Sequence, residues 1–279
     1  MVKVRFAQAW PQLLPLDGEH GGEDYVPPSL EDFDFEGLFG TDWINKPMLQ
    51  LVISVILILG LMIPASRKLT VVPKKWQFAV EYVYDFVRTS IARTTIGHGY
   101  EKYTPFLVGM FMLILINNWF GEFFYFMFPT FSNIGYTMGL VLTVIVFVIS
   151  SGIRQHGIKS IRMTLMPSSV PVYLAPLVIP LEFMSNYITR PLTLTVRLFG
   201  NMFAGHLGVM VFVVGGGWLI SEGTSAIGFP TAIVKGAGFG AILLGMLVIG
   251  IELFIGFMQA YLFTLLTANY ISQAVSEGH

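Results

Sequence analysis

Pro191–Phe212 reads PLTLTVRLFGNMFAGHLGVMVF, an apolar run of membrane-span character that nevertheless carries an arginine, Arg197, and a histidine, His206. No lysine, aspartate or glutamate interrupts the chain between Arg197 and Glu222. A charged side chain at a bilayer centre costs about 2.5–3.5 kcal/mol even on the lenient insertion scale, so something must compensate Arg197. At about 100° per residue, Asn201 falls close to the face of Arg197, while His206, nine positions on, falls on the opposite side. One helix with two polar surfaces suits a wall between two separate polar spaces. The plainer alternative is that Arg197 pairs with a carboxylate as a static brace of a helix bundle.

The composition around this stretch is that of a polytopic membrane protein. Of 279 residues, 54% are hydrophobic and only 12% charged, against about 25% charged in an average soluble domain. The net charge of −1 conceals an asymmetry, because nine of the seventeen acids fall in residues 1–46, opposed only by Lys3, Arg5 and Lys46. Residues 1–46 therefore read as an acidic, solvated arm, and residues 47–279 as a single membrane domain without a polar linker long enough to separate two bundles. The N-terminus lacks an apolar run bounded by a small-residue cleavage site, so no signal peptide is expected. The absence of cysteine excludes disulfides, thiol chemistry and cysteine-ligated metals.

Working outward, Lys46 and Arg67 bracket twenty uncharged residues, PMLQLVISVILILGLMIPAS, enough to cover a ~30 Å hydrocarbon core. This is the first span, about 47–66. Arg67 to Lys102 carries seven basic residues and three acids, and includes KKWQFAVEYVYDFVRTSIA, where aromatic and aliphatic positions alternate with charge at helical spacing. It predicts a helix on the membrane surface over about 72–95. So much positive charge beside span ends makes the loop cytoplasmic and puts the acidic arm outside. The second span, about 103–128, contains LINNWFGE, which sets Asn117, Asn118 and Glu122 in its outer half, Asn118 and Glu122 four apart on one face. That stripe fits a water-filled inlet, or a polar collar near the headgroups. A third span follows at about 134–153, and the basic GIRQHGIKSIR after it is again cytoplasmic.

Beyond Thr164 the pattern is ambiguous. Pro167, Pro171, Pro176, Pro180 and Pro191 punctuate an apolar region that also holds Glu182 and Arg190. Pro171 to Ile220 would measure about 75 Å as a helix, so the limb at about 165–220 is either two crossings or one long, strongly tilted element. After the turn GGGWLISEGTSAIGFP, a second long limb at about 231–275 is interrupted only by Lys235 and Glu252. Gln259 lies two turns beyond Glu252 on the same face, and Tyr270 falls there too, a plausible proton or ion relay. A hydrogen-bonded Glu252–His206 or Glu252–Arg197 pair that merely fixes helix register would explain the carboxylate equally. Glycines 236, 238, 240, 245, 250 and 256 of this limb either admit a close neighbouring helix or leave a cleft.

No HExxH, GxSxG, P-loop or GxGxxG fingerprint appears. Histidines at 20, 98, 156, 206 and 279 are too scattered for a metal site. Neither a metal nor an organic cofactor is expected, and nothing suggests nucleic acid as a partner.

PLTLTVRLFGNMFAGHL, followed some fifty residues later by IELFIGFMQAYLFTLLTANYI, resembles the a subunit of the membrane sector of rotary, F-type ATP synthases. The likeness covers about residues 165–275, and the preceding span order agrees. The resemblance implies an all-α polytopic fold in which two long tilted helices form a hairpin along a ring of c subunits, the C-terminus being cytoplasmic. It implies that the chain is a non-catalytic, ion-translocating stator subunit of the cell membrane, and that its partners are the c-ring, peripheral-stalk b-type subunits, lipid and the translocated proton. Arg197 looks like the family's essential arginine, Asn201 like its motif asparagine and Gln259 like its last-helix glutamine. His206 and Glu252 look like a swapped version of a pair more often met as glutamate on the first limb and histidine on the second. Glu182 then resembles the lining of an inner half-channel, and Asn118, Glu122, His206 and Glu252 that of an outer one. The nearest rivals are a secondary transporter, which would carry an internal repeat not found between residues 47–153 and 165–275, and a membrane scaffold whose polar groups are only braces.

Overall fold

The computed structural model describes residues 45–67, 75–122, 130–157, 175–223 and 229–275, and all regular structure within them is helical. The arm at 1–44, the 72–74 start of the expected surface helix, the 123–128 end of the second span and the 165–174 start of the first long limb lie outside the described residues. So do Lys159 and Arg162 of the second basic loop and the turn residues 224–228.

Helix α1 (Lys46–Arg67) opens where the Asn45 side chain accepts the Met48 backbone N–H at 3.1 Å. Pro47, Gln50, Ser54, Ile58 and Ala65 form its buried face, three or four residues apart at most steps. The other face leaves Ile56 63% and Leu59 51% exposed, which water penalises and lipid favours. Helix α2 (Lys75–Phe86) continues through a π-helical stretch, Val87–Arg93, and a last turn, Thr94–Ile96. Gly97 and Gly99 then reverse the chain at φ 75° and 79°, a backbone region that glycine enters without a Cβ penalty. The inner face of this segment buries Gln77, Val80, Val87, Ile91 and Ala92, while Phe78 and Tyr82 point outward. Arg88 donates to the Tyr100 hydroxyl at 3.5 Å, a contact that pushes the guanidinium above its already high ordinary value.

Helix α3 (Thr104–Glu122) supplies much of the core through Leu107, Val108, Phe111 and Ile114. Phe111 lies 5.9 Å from Phe86 and 6.0 Å from Phe257, and Phe86 also meets Tyr261 at 6.0 Å, an aromatic cluster that draws α2, α3 and the C-terminal limb together. Helix α4 (Ile134–His156) is capped by Asn133, whose side chain accepts the Gly135 N–H at 2.9 Å, and ends at Gly157 with φ 63°. Phe106 and Phe147 stack at 3.6 Å between α3 and α4.

The first long limb is a single element. Helix α5 (Ala175–Met184) passes through a π-helical turn, Ser185–Thr189, into α6 (Arg190–Ser221). Proline within a helix lacks an N–H and crowds the carbonyl four residues earlier. For Pro191 that carbonyl belongs to Tyr187, in the middle of the widened turn, so the helix absorbs the proline rather than breaking at it. Helix α7 (Thr231–Val275) then runs for 45 residues. Among the described residues five helical segments, 46–66, 104–122, 134–156, 176–221 and 231–275, are long and apolar enough to cross a membrane. The protein is an all-α, multi-pass membrane protein.

The described residues fall into two compact units, one comprising 203–254 and the other 45–202 with 255–275. The larger unit holds the apolar core just described, to which Leu194, Leu198, Met202, Ala260, Phe263 and Ile271 contribute. The smaller is an antiparallel pair of helical segments packed through glycine. A Cβ at Gly216 would stand 2.9 Å from the Gly238 carbonyl, one at Gly238 would stand 2.8 Å from the Gly216 carbonyl, and one at Gly245 would press on Val213 at 2.9 Å. Gly238, Gly245 and, in the larger unit, Gly256 thus serve close packing, whereas Gly236, Gly240 and Gly250 face open space.

Candidate functional site

In the larger unit, Arg197 belongs to the exposed face of α6, with Ile188, Leu192 and Val196 exposed at 50%, 58% and 52% along the same limb. Its immediate neighbour Leu198 is turned inward at 1% exposure, with Leu194 one turn before. The helix thereby fixes its backbone in the core and leaves the guanidinium on an apolar outer surface. Among the described residues that guanidinium has no carboxylate within ion-pair distance and no side-chain hydrogen bond. What the protein does grip is the backbone: the Gln259 side chain, itself buried, donates to the Arg197 carbonyl oxygen at 3.3 Å. Asn201, one turn on, is half-buried.

Seven residues before Arg197, the Arg190 guanidinium donates to the Gln273 side-chain oxygen at 2.7 Å and lies 5.1 Å from the centre of the Tyr270 ring. Tyr270, expected in line with Glu252 and Gln259, thus lies beneath a cation. Glu182 accepts from the Asn186 amide at 3.0 Å, four residues along the same limb. Asn118 is buried and donates to the Gly256 carbonyl at 2.9 Å; a Cβ at Gly256 would stand 3.1 Å from that of Asn118, so the glycine is what admits the amide. Glu122 is half-buried one turn further along α3. Its neighbour Asn117 turns to a different task, donating to Ser54 Oγ at 2.9 Å and accepting from Thr130 at 3.0 Å.

In the smaller unit, the Glu252 carboxyl group occupies the space a side chain at 205 would need: a Cβ on Gly205 would overlap its carboxyl carbon and both oxygens. His206, the next residue, is buried at 3% exposure, while Glu252 is half-buried. The carboxyl group is thus seated on bare backbone at the residue directly before the histidine in sequence. Sequence reasoning singled out His206 and Glu252 and missed Gly205, whose only signal was a small residue directly before the histidine. It also missed the tie of Arg190 to Tyr270 and Gln273.

Among the described residues no group of three or more histidines and carboxylates stands where it could hold a metal ion. The polar side chains therefore form two separate sets, a guanidinium on an apolar face and a carboxyl group in a glycine niche.

A family model described as ATP synthase A chain matches residues 48–272. Similar curated proteins include the ATP synthase subunit a of a Nocardioides species, 39% identical over 271 residues that cover 92% of this chain and 96% of that protein. That of Pseudarthrobacter chlorophenolicus is 36% identical over 266 residues, covering 94% and 97%. That of Brucella abortus is 36% identical over 230 residues, covering 82% and 87%.

Proposed function

Because the chain belongs to the ATP synthase A chain family, we propose that it is the stator of a proton path in which Arg197 separates two offset half-channels and ion flow turns a ring of c subunits. The supporting observation is the setting of Arg197: an arginine on an apolar, outward face, without an acid of its own chain among the described residues, and with its backbone carbonyl held by Gln259. A guanidinium has donors and no acceptor atom, and it stays charged in proteins, so it serves as a fixed positive charge rather than as a proton carrier. At ~4 Å and an effective dielectric of about 20, it would hold a carboxylate of a passing ring helix by roughly 4 kcal/mol.

That attraction makes a protonated ring carboxyl release its proton as it nears Arg197, and the same charge repels a proton trying to cross directly between the half-channels. Current then flows only with the ring carboxyl carried round through lipid, drawing on about 2.3 kcal/mol per charge per 100 mV of membrane potential. Glu182 belongs to the inner half-channel, and Asn118, Glu122, His206 and Glu252 to the outer one. Asn201 and Gln259 flank the arginine. Glu252 and His206 exchange protons with the outer space, the swapped order of acid and imidazole leaving the chemistry of the pair intact.

A helix of 45 residues is about 68 Å long, and containing it in a ~30 Å core would lay it roughly 60° from the membrane normal. Such tilted limbs follow the curve of a ring. The chain itself catalyses no reaction, its N-terminal arm is outside and its C-terminus cytoplasmic, and b-type stalk subunits hold it against the ring. The deciding experiment is Arg197→Ala in the intact complex: proton-driven ATP synthesis by membrane vesicles should vanish while the complex still assembles. Synthesis at the parental rate would remove Arg197 from the role of gate.

A further inference from the structure

We propose that Gln50 holds an ordered water molecule in a closed polar pocket between α1, α3 and the short turn Thr130–Ser132. Gln50 is 3% exposed, and its amide nitrogen, fully enclosed, has no hydrogen-bond partner among the described residues. It shares the buried face of α1 with Ser54, one turn on, which is completely buried and accepts from Asn117 Nδ2 at 2.9 Å. Asn117 in turn accepts from Thr130 Oγ1 at 3.0 Å, and Asn117 and Thr130 are themselves completely buried. Toward the start of the same helix, Asn45 accepts a hydrogen bond from the Tyr136 hydroxyl. The Gln50 amide therefore lies along α1 between two polar contacts to neighbouring elements, with none of its own.

The donors around it are spent. Both amide hydrogens of Asn117 are committed, to Ser54 Oγ and to the Leu113 carbonyl at 2.8 Å, and the Ser54 hydroxyl donates to the Leu51 carbonyl at 2.7 Å. What remains is acceptor capacity on Ser54 Oγ, Thr130 Oγ1 and Asn117 Oδ1. A buried donor one helical turn from Ser54, on the same buried face as this set of spare acceptors, is the setting in which a water molecule makes its usual two to four hydrogen bonds. Water also fits either orientation of the Gln50 amide, since it can accept from N–H or donate to C=O. None of these residues carries a charge that would draw an ion instead. The surrounding hydrogen bonds end on the Leu51 and Leu113 carbonyls of their own helices, which pass no proton onward, so this water is structural and stands apart from the ion path.

The test is a map of the intact complex at a resolution that shows ordered water, for the parent and for Gln50→Met, which keeps the side-chain length and loses the amide. The expected result is a peak about 3 Å from the Gln50 amide in the parent, no peak in the variant, and ATP-driven proton pumping at the parental rate in both. An empty parental pocket, a peak that survives in the variant, or loss of pumping from an assembled variant would each overturn the proposal. If Gln50→Met fails to assemble, the parental map alone decides.

Discussion

Gly205→Ala is the most discriminating change the structure offers. The added methyl would overlap the carboxyl carbon and both oxygens of Glu252, so that carboxyl group must leave its seat. The three atoms nearest the new methyl all belong to the far end of that flexible side chain. The relief is a rotamer change of Glu252, costing about 0.5–1.5 kcal/mol, against a total stability of roughly 5–15 kcal/mol for an ordinary domain. The complex should therefore assemble. Proton transfer is less forgiving, since misplacing a reacting group by about 1 Å can cost on the order of 10²-fold. We expect proton-driven ATP synthesis in vesicles, and ATP-driven acidification followed with a pH-sensitive dye, to fall about 10–100-fold by that reasoning. ATP hydrolysis by the detached catalytic sector should be unchanged. Adding Glu252→Asp, one methylene shorter, should recover part of the loss, a coupling that two independent defects would not show. Parental rates of both assays in Gly205→Ala, with the carboxyl group seen displaced, would refute the claim that its position matters.

Other changes test other parts of the structure. Gly238→Val sets a branched side chain against the Gly216 carbonyl, where a single Cβ already stands at 2.8 Å; overpacking of about 1–3 kcal/mol or more should reduce the amount of assembled complex in membranes. Asn117→Ala leaves Ser54 and Thr130 without their shared partner, and a loss of about 1–3 kcal/mol should appear as a lower thermal midpoint with ion transport per assembled complex unchanged. Gln259→Leu releases the Arg197 carbonyl at a stability cost of only about 1 kcal/mol, yet it should lower coupled synthesis by freeing the backbone that carries the gate. Equal synthesis rates in parent and variant would show that the tie is dispensable.

Much of the fold was legible because lipid imposes a simple rule: an enclosed backbone must satisfy itself, so a span announces itself as about twenty uncharged residues. Lys46 and Arg67 bracket such a run, and α1 covers Lys46–Arg67. The region from Pro171 to Ile220 resisted because proline is a local signal and its remedy is not. The π-helical turn Ser185–Thr189, which carries Pro191 without a break, leaves no mark in composition. Arg197, His206 and Glu252 stood out because charge within an apolar run is costly. Gly205 did not, since a glycine whose role is to be occupied by another residue's carboxyl group looks like any other small residue of a membrane helix. The same blindness hid the different tasks of Asn117 and Asn118, adjacent in sequence and facing α1 and Gly256 respectively.

The facing backbones of Gly216 and Gly238 act as a vernier for the smaller unit. Sliding one helix of that hairpin by a turn would bring Phe212 or Ile220 to where a bare Cα is required, so the close contact fixes the alignment of the two helices. The seating of Glu252 on Gly205 is thus indexed from eleven residues away on one helix and fourteen on the other. A residue inserted between Gly205 and Gly216 would turn Gly205 by about 100° around the helix axis and move it about 1.5 Å along it, which should take the acid out of its niche. Lipid-facing positions nearby remain free to drift.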